Sequence, residues 1–252
     1  MRILLTNDDG ISAPGLEVLA EMAHALSADV WIVAPETDQS GKGHSLTLTE
    51  PLRLRQLGER RFAVRGTPTD CVIMGLSHVM PERPDLILSG VNRGTNMADD
   101  VTYSGTVAAA MEGTILGIKS IALSQAVKHE AFAKPNWSAA RGHGLDIIKR
   151  ILAFGIAPGV LMNVNFPACN ADEVVGVEVT AQGARTAGQL GIEERLDARE
   201  NPYFWIKFQP KWLEPTPGTD MWAVQNKAIS VTPLRLDLTD DEMRLRLKEV
   251  FG

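Results

Sequence analysis

Two adjacent carboxylates, Asp8 and Asp9, follow the short apolar run Ile3–Leu5 near the start of the chain. Such a run indicates a buried strand, and open parallel α/β sheets bind ligands where their strands end at the carboxyl edge. Two neighbouring Asp side chains at that edge repel each other unless a cation lies beside them. Our hypothesis is that this pair holds a hard divalent metal that meets a phosphate. The alternative is a solvated Asp-Asp-Gly turn, because Asp and Gly favour turns.

Two further oxygen ligands follow other apolar runs. Ser40 comes after the run 30–35, and Asn92 comes after the run 86–88. Hydroxyl and amide oxygens together with carboxylates suit magnesium or manganese, and no clustering of His and Cys residues favours zinc instead. Their joint position after strand ends favours one shared metal site. Taken singly, each is also an ordinary polar residue of a loop.

A Ser-Gly-Thr stretch opens a run of small residues at 107–113, which predicts a helix. Free N–H groups and the positive end of the helix dipole bind anions, so we expect Ser104, Gly105 and Thr106 to bind phosphate, with Asn96 of the preceding loop. The alternative, an N-cap alone, is compatible with anion binding. The stretch does not have the glycine and lysine spacing of a P-loop, and no dinucleotide-binding glycine pattern follows the first strand.

The loop after the second strand contains a candidate substrate segment made of Gly41, Lys42, Gly43 and His44. Its glycines favour a mobile loop over the site, and His44 is a candidate substrate contact or proton donor. The alternative is a solvated histidine with exposed surface charges.

Strand and helix patterns alternate through the first 170 residues. Apolar residues at helical spacing predict a helix from Pro14 to about Ser27, between the first strand and the strand 30–35. This β-α-β order predicts a parallel sheet with right-handed crossovers. Further patterns predict hairpins over 45–66, a helix capped by Thr69, and strands and helices at 84–90, 107–113, 119–124, 137–154 and 160–167.

The pattern changes after about residue 170. We expect strands at 174–179 and 229–234 and a short amphipathic tail helix at 240–250. The aromatic run 203–208 predicts either a β-arm that packs on another subunit or a hairpin on its own chain.

Composition excludes some classes of protein. The chain has 252 residues and a net charge of -6, which argues against a nucleic-acid-binding surface. Its apolar runs are too short for a membrane span, and its first residues have no signal-peptide pattern, so we expect a cytoplasmic location. Cys71 and Cys169 lie in apolar surroundings and are expected to be buried, inert thiols.

Long contiguous motifs resemble the SurE survival-protein family. The likeness is dense over the first two thirds of the chain, and it returns at 163–167, 219–220 and 229–234. The motifs that carry it most densely are Ile-Leu-Leu-Thr-Asn-Asp-Asp-Gly at 3–10, Gln-Ser-Gly at 39–41, Gly-Thr-Pro-Thr-Asp-Cys-Val at 66–72, Ser-Gly-Val-Asn-Arg-Gly-Thr-Asn at 89–96 and Tyr-Ser-Gly-Thr-Val-Ala-Ala-Ala-Met-Glu at 103–112.

The resemblance implies a metal-dependent nucleotidase that hydrolyses nucleoside 5′- and 3′-monophosphates and also short polyphosphate. It implies one magnesium or manganese ion per subunit on Asp8, Asp9, Ser40 and Asn92. It further implies a three-layer α/β fold with a Rossmann-like, mostly parallel sheet, and a homo-dimer or homo-tetramer built partly with the C-terminal region. We therefore expect one domain, with a core at 1–170 and an extension at 171–252 that contains the β-arm, the late strand and the tail helix.

The expected reaction is in-line attack of water on a phosphomonoester, with Asp8 or Asp9 orienting the water. Asn96, Ser104, Thr106 and the Gly105 N–H would stabilise charge on the equatorial oxygens. An alternative within enzymes is an Asp nucleophile that forms an aspartyl phosphate. A second alternative, from another class, is a metal-dependent nucleotide sensor that binds without turnover.

Overall fold

The computed structural model describes residues 1–128, 135–184, 190–208 and 214–252. In these ranges the strands form one nine-stranded sheet, in the order β3-β4-β2-β1-β5-β6-β7-β11-β8, and a separate antiparallel pair of β9 and β10. The strands are β1 (Arg2–Thr6), β2 (Asp29–Pro35), β3 (Arg53–Gly58), β4 (Arg61–Arg65), β5 (Leu86–Arg93), β6 (Lys119–Gln125), β7 (Val160–Phe166), β8 (Gly176–Val179), β9 (Leu190–Leu196), β10 (Pro202–Phe208) and β11 (Ala228–Arg235).

Helices cover both faces of the main sheet. One apolar cluster joins the sheet to two of them on one face, and a second cluster joins it to two others on the opposite face. The helices on the first face are α1 (Pro14–Leu26) and α4 (Ser138–Phe154), and those on the opposite face are α2 (Pro68–Met74) and α3 (Gly105–Ile115). The C-terminal part adds α5 (Asp220–Gln225) and α6 (Asp241–Phe251). The predicted three-layer, mostly parallel α/β fold is confirmed.

The central strands bring three chain segments to one edge of the sheet. Strand β1 pairs in parallel with β2 on one side and with β5 on the other, with Leu5 opposite Ile32 and Thr6 opposite Ser89. Parallel neighbours end at the same edge, so the residues that follow Thr6 and Pro35, and the last residues of β5, are neighbours in space.

Two local predictions are wrong. The predicted hairpins over 45–66 reduce to one hairpin of β3 and β4, because residues 45–52 form no strand despite their alternating leucines. The N-cap of α2 is Thr67 and not Thr69. Thr67 accepts a hydrogen bond from the Asp70 N–H at 3.1 Å, and the Asp70 carboxylate accepts one from the Thr67 N–H at 2.8 Å. This reciprocal capping box, with Pro68 in the first helical position, fixes the start of the helix two residues earlier.

The C-terminal part contributes to the main sheet and also forms separate elements. Strand β11 inserts antiparallel beside β7, and β8 pairs in parallel with β11. The division of the chain at residue 170 stays a prediction, and the nine-stranded sheet runs across that boundary. The aromatic run lies on β10, paired only with β9 in the described ranges, and all residues of α6 are exposed.

The remaining sequence expectations concern the thiols and the membrane. Cys71 and Cys169 are free and buried, as expected, and burial raises the pKa of both thiols. None of the helices in the described part of the chain combines the length and the apolar composition that a membrane crossing requires.

Candidate active site

Asp8 lies directly beyond β1 and is only 4% exposed. Its Oδ1 accepts a hydrogen bond from the Thr106 hydroxyl. Burial raises the pKa of Asp8 to about 6, against the Thr106 hydrogen bond, which lowers it, and the charge of Asp9 raises it further. Burial penalises the charged form, so a positive charge beside this carboxylate would stabilise the ionised side chain.

Asp9 is half-buried and faces the end of β5. Its Oδ2 accepts a hydrogen bond from the backbone N–H of Arg93 at 2.9 Å. Burial raises the pKa of Asp9, and the nearby charge of Asp38 also raises it, whereas the Arg93 N–H and side chain lower it. The two carboxylates therefore share a desolvated, electronegative corner of the sheet edge.

Ser40 lies in the exposed loop that follows β2, beside the turn after β1. The neighbouring Gln39 N–H donates to the Asp8 carbonyl at 2.8 Å, which ties this loop to the turn after β1. The N–H and hydroxyl of Ser40 both donate to Asp38 Oδ1, at 2.7 and 2.6 Å. Because the hydroxyl donates its proton to Asp38, its oxygen lone pairs remain able to bind a cation.

Asn92 is the last residue but one of β5, next to the Arg93 N–H that contacts Asp9. Its Nδ2 donates to the Gly94 carbonyl at 3.0 Å, so the amide oxygen is the atom that suits a hard cation. Across the sheet Asn92 pairs with Ser124 of β6. The structure thus brings together the segments of the four predicted metal ligands: Gln39, beside Ser40, contacts Asp8, and Arg93, beside Asn92, contacts Asp9.

The start of helix α3 lies against Asp8. Ser104 is the N-cap, and its Oγ accepts a hydrogen bond from the Val107 N–H at 3.0 Å. A Cβ atom on Gly105 would lie 2.8 Å from the Asp8 Cβ and 3.0 Å from the Pro68 Cγ. Only glycine permits this approach, so the positive end of the α3 dipole is held beside the Asp8 carboxylate.

Asn96 is buried on the Asn92 side of the corner. Its Nδ2 donates to the Ser124 hydroxyl at 2.8 Å, and its backbone N–H donates to Asn165 Oδ1 at 2.9 Å. Ser124 of β6 lies opposite Asn92 in the sheet, so Asn96 contacts the residue that is paired with a predicted metal ligand. On the other side, Thr106 of α3 contacts Asp8 directly.

The predicted substrate segment Gly41–His44 runs along α3 and the loop before it. The Gly43 N–H donates to the Tyr103 carbonyl at 3.2 Å, and His44 Nε2 lies 3.0 Å from Glu112 Oε2. Gly41 and Lys42 are exposed. The segment therefore flanks the predicted phosphate-binding turn, and its histidine is paired to a carboxylate.

The residues present fit a hard divalent cation. Two partly desolvated carboxylates, a hydroxyl and an amide oxygen form an oxygen-only donor set. Within the described ranges no group of three or more His, Cys, Asp or Glu side chains is arranged to hold a metal.

Sequence reasoning missed several neighbours of the site. Asp38 contacts Ser40 and lies near Asp9. Its position in the polar stretch after β2 could have indicated that it lies at the site. The contacts of Asn96 with Ser124 and Asn165 connect residues 28 and 69 positions apart, so no local sequence pattern predicts them.

Comparisons with known proteins place this geometry in a family. A family model described as survival protein SurE matches residues 3–189. Over the full length of both chains, the sequence is 61% identical to a protein of Methylobacterium nodulans named 5′-nucleotidase SurE, and it is 56% identical to one of the same name from Rhodopseudomonas palustris. The crystal structure of the SurE protein from Aquifex aeolicus covers the whole chain with a TM-score of 0.82 at 40% identity. The chain belongs to the SurE family.

Proposed function

We propose that this protein is a metal-dependent phosphomonoesterase that converts nucleoside 5′- and 3′-monophosphates into nucleoside and phosphate. The expected enzyme class, a 5′-nucleotidase, is confirmed by full-length relatives of that name. The metal requirement, the action on 3′-monophosphates and the hydrolysis of short polyphosphate are the parts that we add.

One observation carries the proposal. The adjacent carboxylates Asp8 and Asp9 lie in a desolvated corner, and the N-terminus of an eleven-residue helix lies in contact with Asp8. Carboxylates suit a cation and a helix N-terminus suits an anion, so a corner that presents both fits a metal and a phosphate together.

Asp8, Asp9, Ser40 and Asn92 would hold one magnesium or manganese ion. When bound, such an ion polarises a phosphoryl oxygen and favours the ionised form of a neighbouring water. Arg93 and Thr106 keep the two carboxylates in place, because the Arg93 N–H donates to Asp9 and the Thr106 hydroxyl donates to Asp8.

The remaining residues act on substrate and water. The Gly105 N–H and the α3 dipole stabilise negative charge on the equatorial phosphoryl oxygens, with Ser104, Thr106 and Asn96 at the border of the same space. Asp8 or Asp9 orients the attacking water and accepts its proton.

The segment Gly41–His44 would contact the nucleoside, because it flanks α3 beside the phosphate-binding turn. We further propose a homo-dimer or homo-tetramer in the cytoplasm. The exposed aromatic strand β10 and the exposed helix α6 support an assembly that uses the C-terminal part.

The test is phosphate release from a panel of nucleoside monophosphates by the purified protein with manganese. We expect release from AMP that stops in EDTA and returns on addition of manganese. If AMP binds in the presence of metal but no nucleoside monophosphate is hydrolysed, the protein is a nucleotide sensor and the proposed hydrolysis is wrong. Acid quenching during turnover of AMP that carries a radiolabelled phosphate should leave no label on the protein, and label on an Asp carboxylate would instead indicate an aspartyl phosphate.

A further inference from the structure

The loop that carries Asn96 is held from the C-terminal half of the chain. Asn163 and Asn165 of β7 contact its backbone, because Asn163 Nδ2 donates to the Asn96 carbonyl at 2.8 Å and Asn165 Oδ1 accepts from the Asn96 N–H at 2.9 Å. Two residues later, Gln182 Nε2 donates to the Ala98 carbonyl at 3.0 Å. Side chains thus satisfy the backbone hydrogen bonds of this loop, which in a sheet or helix would be made by other backbone groups.

Asp220 completes this set of contacts. It is fully buried as the first residue of α5, and its Oδ2 accepts a hydrogen bond from the Ala98 N–H at 2.9 Å. Its Oδ1 accepts from the N–H groups of Gly183 and Met221 at 2.9 and 2.8 Å. The single carboxylate therefore ties the loop at residue 98 to the segment at 183 and to the helix that carries it.

The backbone at this contact is in an unfavourable conformation. Ala98 has a φ of 51°, in the left-handed region that non-glycine residues rarely occupy. Such a residue persists only where its surroundings fix it, and here the Ala98 N–H and carbonyl are both bound by side chains. The following 3₁₀ turn, 98–102, leads directly to Ser104 and Gly105, so the position of residue 98 determines how the chain enters the phosphate-binding turn.

We propose that Asp220 is a positioning residue for the phosphate-binding loop, which rests on the function proposed above for Asn96, Ser104 and Gly105. It contacts no residue of the predicted metal site within the described part of the chain. It acts through the Ala98 N–H and holds residues 94–104 in the conformation that presents Asn96 on one side of the corner and the α3 N-terminus on the other. The Thr-Asp pair at 219–220, remote in sequence from the metal ligands, thereby gains a role at the site.

The test replaces Asp220 with Asn in the full chain. The variant keeps the size of the side chain but presents an amide donor to one of the three N–H groups, and the loss of a charge-assisted hydrogen bond corresponds to roughly a tenfold effect or more. With manganese present, we expect kcat/KM for AMP to fall about tenfold, mainly through KM, while the dissociation constant for manganese stays within about twofold. Amide hydrogens of 94–104 should exchange faster with solvent.

Two controls separate positioning from general destabilisation. Ile229→Val removes one methyl group from an apolar cluster that includes no residue of 94–104, and it costs about 1 kcal/mol of stability. Asp240→Asn makes the same chemical change at the N-cap of the exposed helix α6, where Asp240 accepts from the Met243 N–H at 2.8 Å. Both controls should keep the wild-type KM and the wild-type exchange of 94–104.

The results decide between the roles. If Asp220→Asn matches the two controls in KM and in exchange, or if it weakens manganese binding as much as AMP turnover, the proposal is wrong. If Asp220→Asn does not fold, Gln182→Leu replaces it in the test, because this variant removes only the donor to the Ala98 carbonyl. It must also raise KM for AMP, by a smaller factor than expected for Asp220→Asn. If the wild-type protein releases no phosphate, the proposed function fails, and hydrogen exchange alone then decides whether Asp220 holds the loop.

Discussion

Replacing Asp8 with Asn should make the metal-free protein more stable at neutral pH, although it removes a predicted metal ligand. Asp8 is buried, and in the native state its pKa rises from the ordinary value of 3.8 to about 6. A native carboxyl with a raised pKa binds more protons than the unfolded one between these values. The stability of the metal-free protein therefore falls as the pH rises from about 4 to about 6.

The size of the effect follows from the shift of the pKa. Each pKa unit corresponds to about 1.4 kcal/mol, so a shift from 3.8 to about 6 removes about 3 kcal/mol of unfolding free energy by pH 7. The amide introduced by Asp8→Asn would stay neutral at every pH, and its oxygen would still accept the Thr106 hydrogen bond. The difference between variant and wild type should thus be small near pH 4 and reach about 3 kcal/mol at pH 7.

The assay is urea unfolding of both proteins in EDTA across this pH range, followed by circular dichroism. Taking the difference between the two proteins cancels the titration of the groups that do not interact with Asp8. A difference that does not change between pH 4 and pH 7 would refute the reasoning that burial raises the Asp8 pKa. With saturating manganese at pH 7, the order should reverse, because the ion stabilises only the protein that binds it.

Three further outcomes are expected. Asp9→Asn should lower kcat for AMP at least roughly 100-fold with an unchanged circular dichroism spectrum, because a ligand of the proposed ion is lost; near wild-type turnover would contradict the assignment. Gly105→Ala should cost about 1–3 kcal/mol in urea unfolding and raise KM, since its methyl group would overlap Asp8 and Pro68; unchanged stability and KM would exclude the close approach. Lys42→Ala should raise KM for AMP less than Gly105→Ala does, because Lys42 is exposed. A larger rise would indicate that Lys42 lies closer to the bound phosphate than Gly105 does.

The layers of the fold follow from local sequence patterns. The apolar runs of β1, β2 and β5 with helical spacing between them predict a parallel sheet, and parallel pairing then brings their ends to one edge. Asp8 and Asn92 could therefore be placed at the same edge before any contact was known. The alternation at 45–52 misled the strand prediction. A strand also needs a strand partner, whereas this segment is bound by side chains at the start of α2, since the Thr47 N–H donates to Asp70 and the Ser45 carbonyl accepts from Thr67.

Contacts between residues distant in sequence could not be derived in the same way. The hydroxyl of Thr106 was expected to face phosphate, and the structure adds that it donates to Asp8, 98 positions earlier. The contact of Asp220 with Ala98 spans 122 positions. Burial and the resulting rise of the Asp8 pKa depend on how the start of α3 packs against the turn after β1, which the sequence of either segment alone does not determine.

The most direct test of the central claim is anomalous diffraction at the manganese edge from crystals grown with manganese. The account requires one peak per chain in the corner bounded by Asp8, Asp9, Ser40 and Asn92, and loss of that peak in Asp9→Asn. A corner without a peak at saturating manganese, or a peak at other residues, would contradict the claim that these side chains hold the ion.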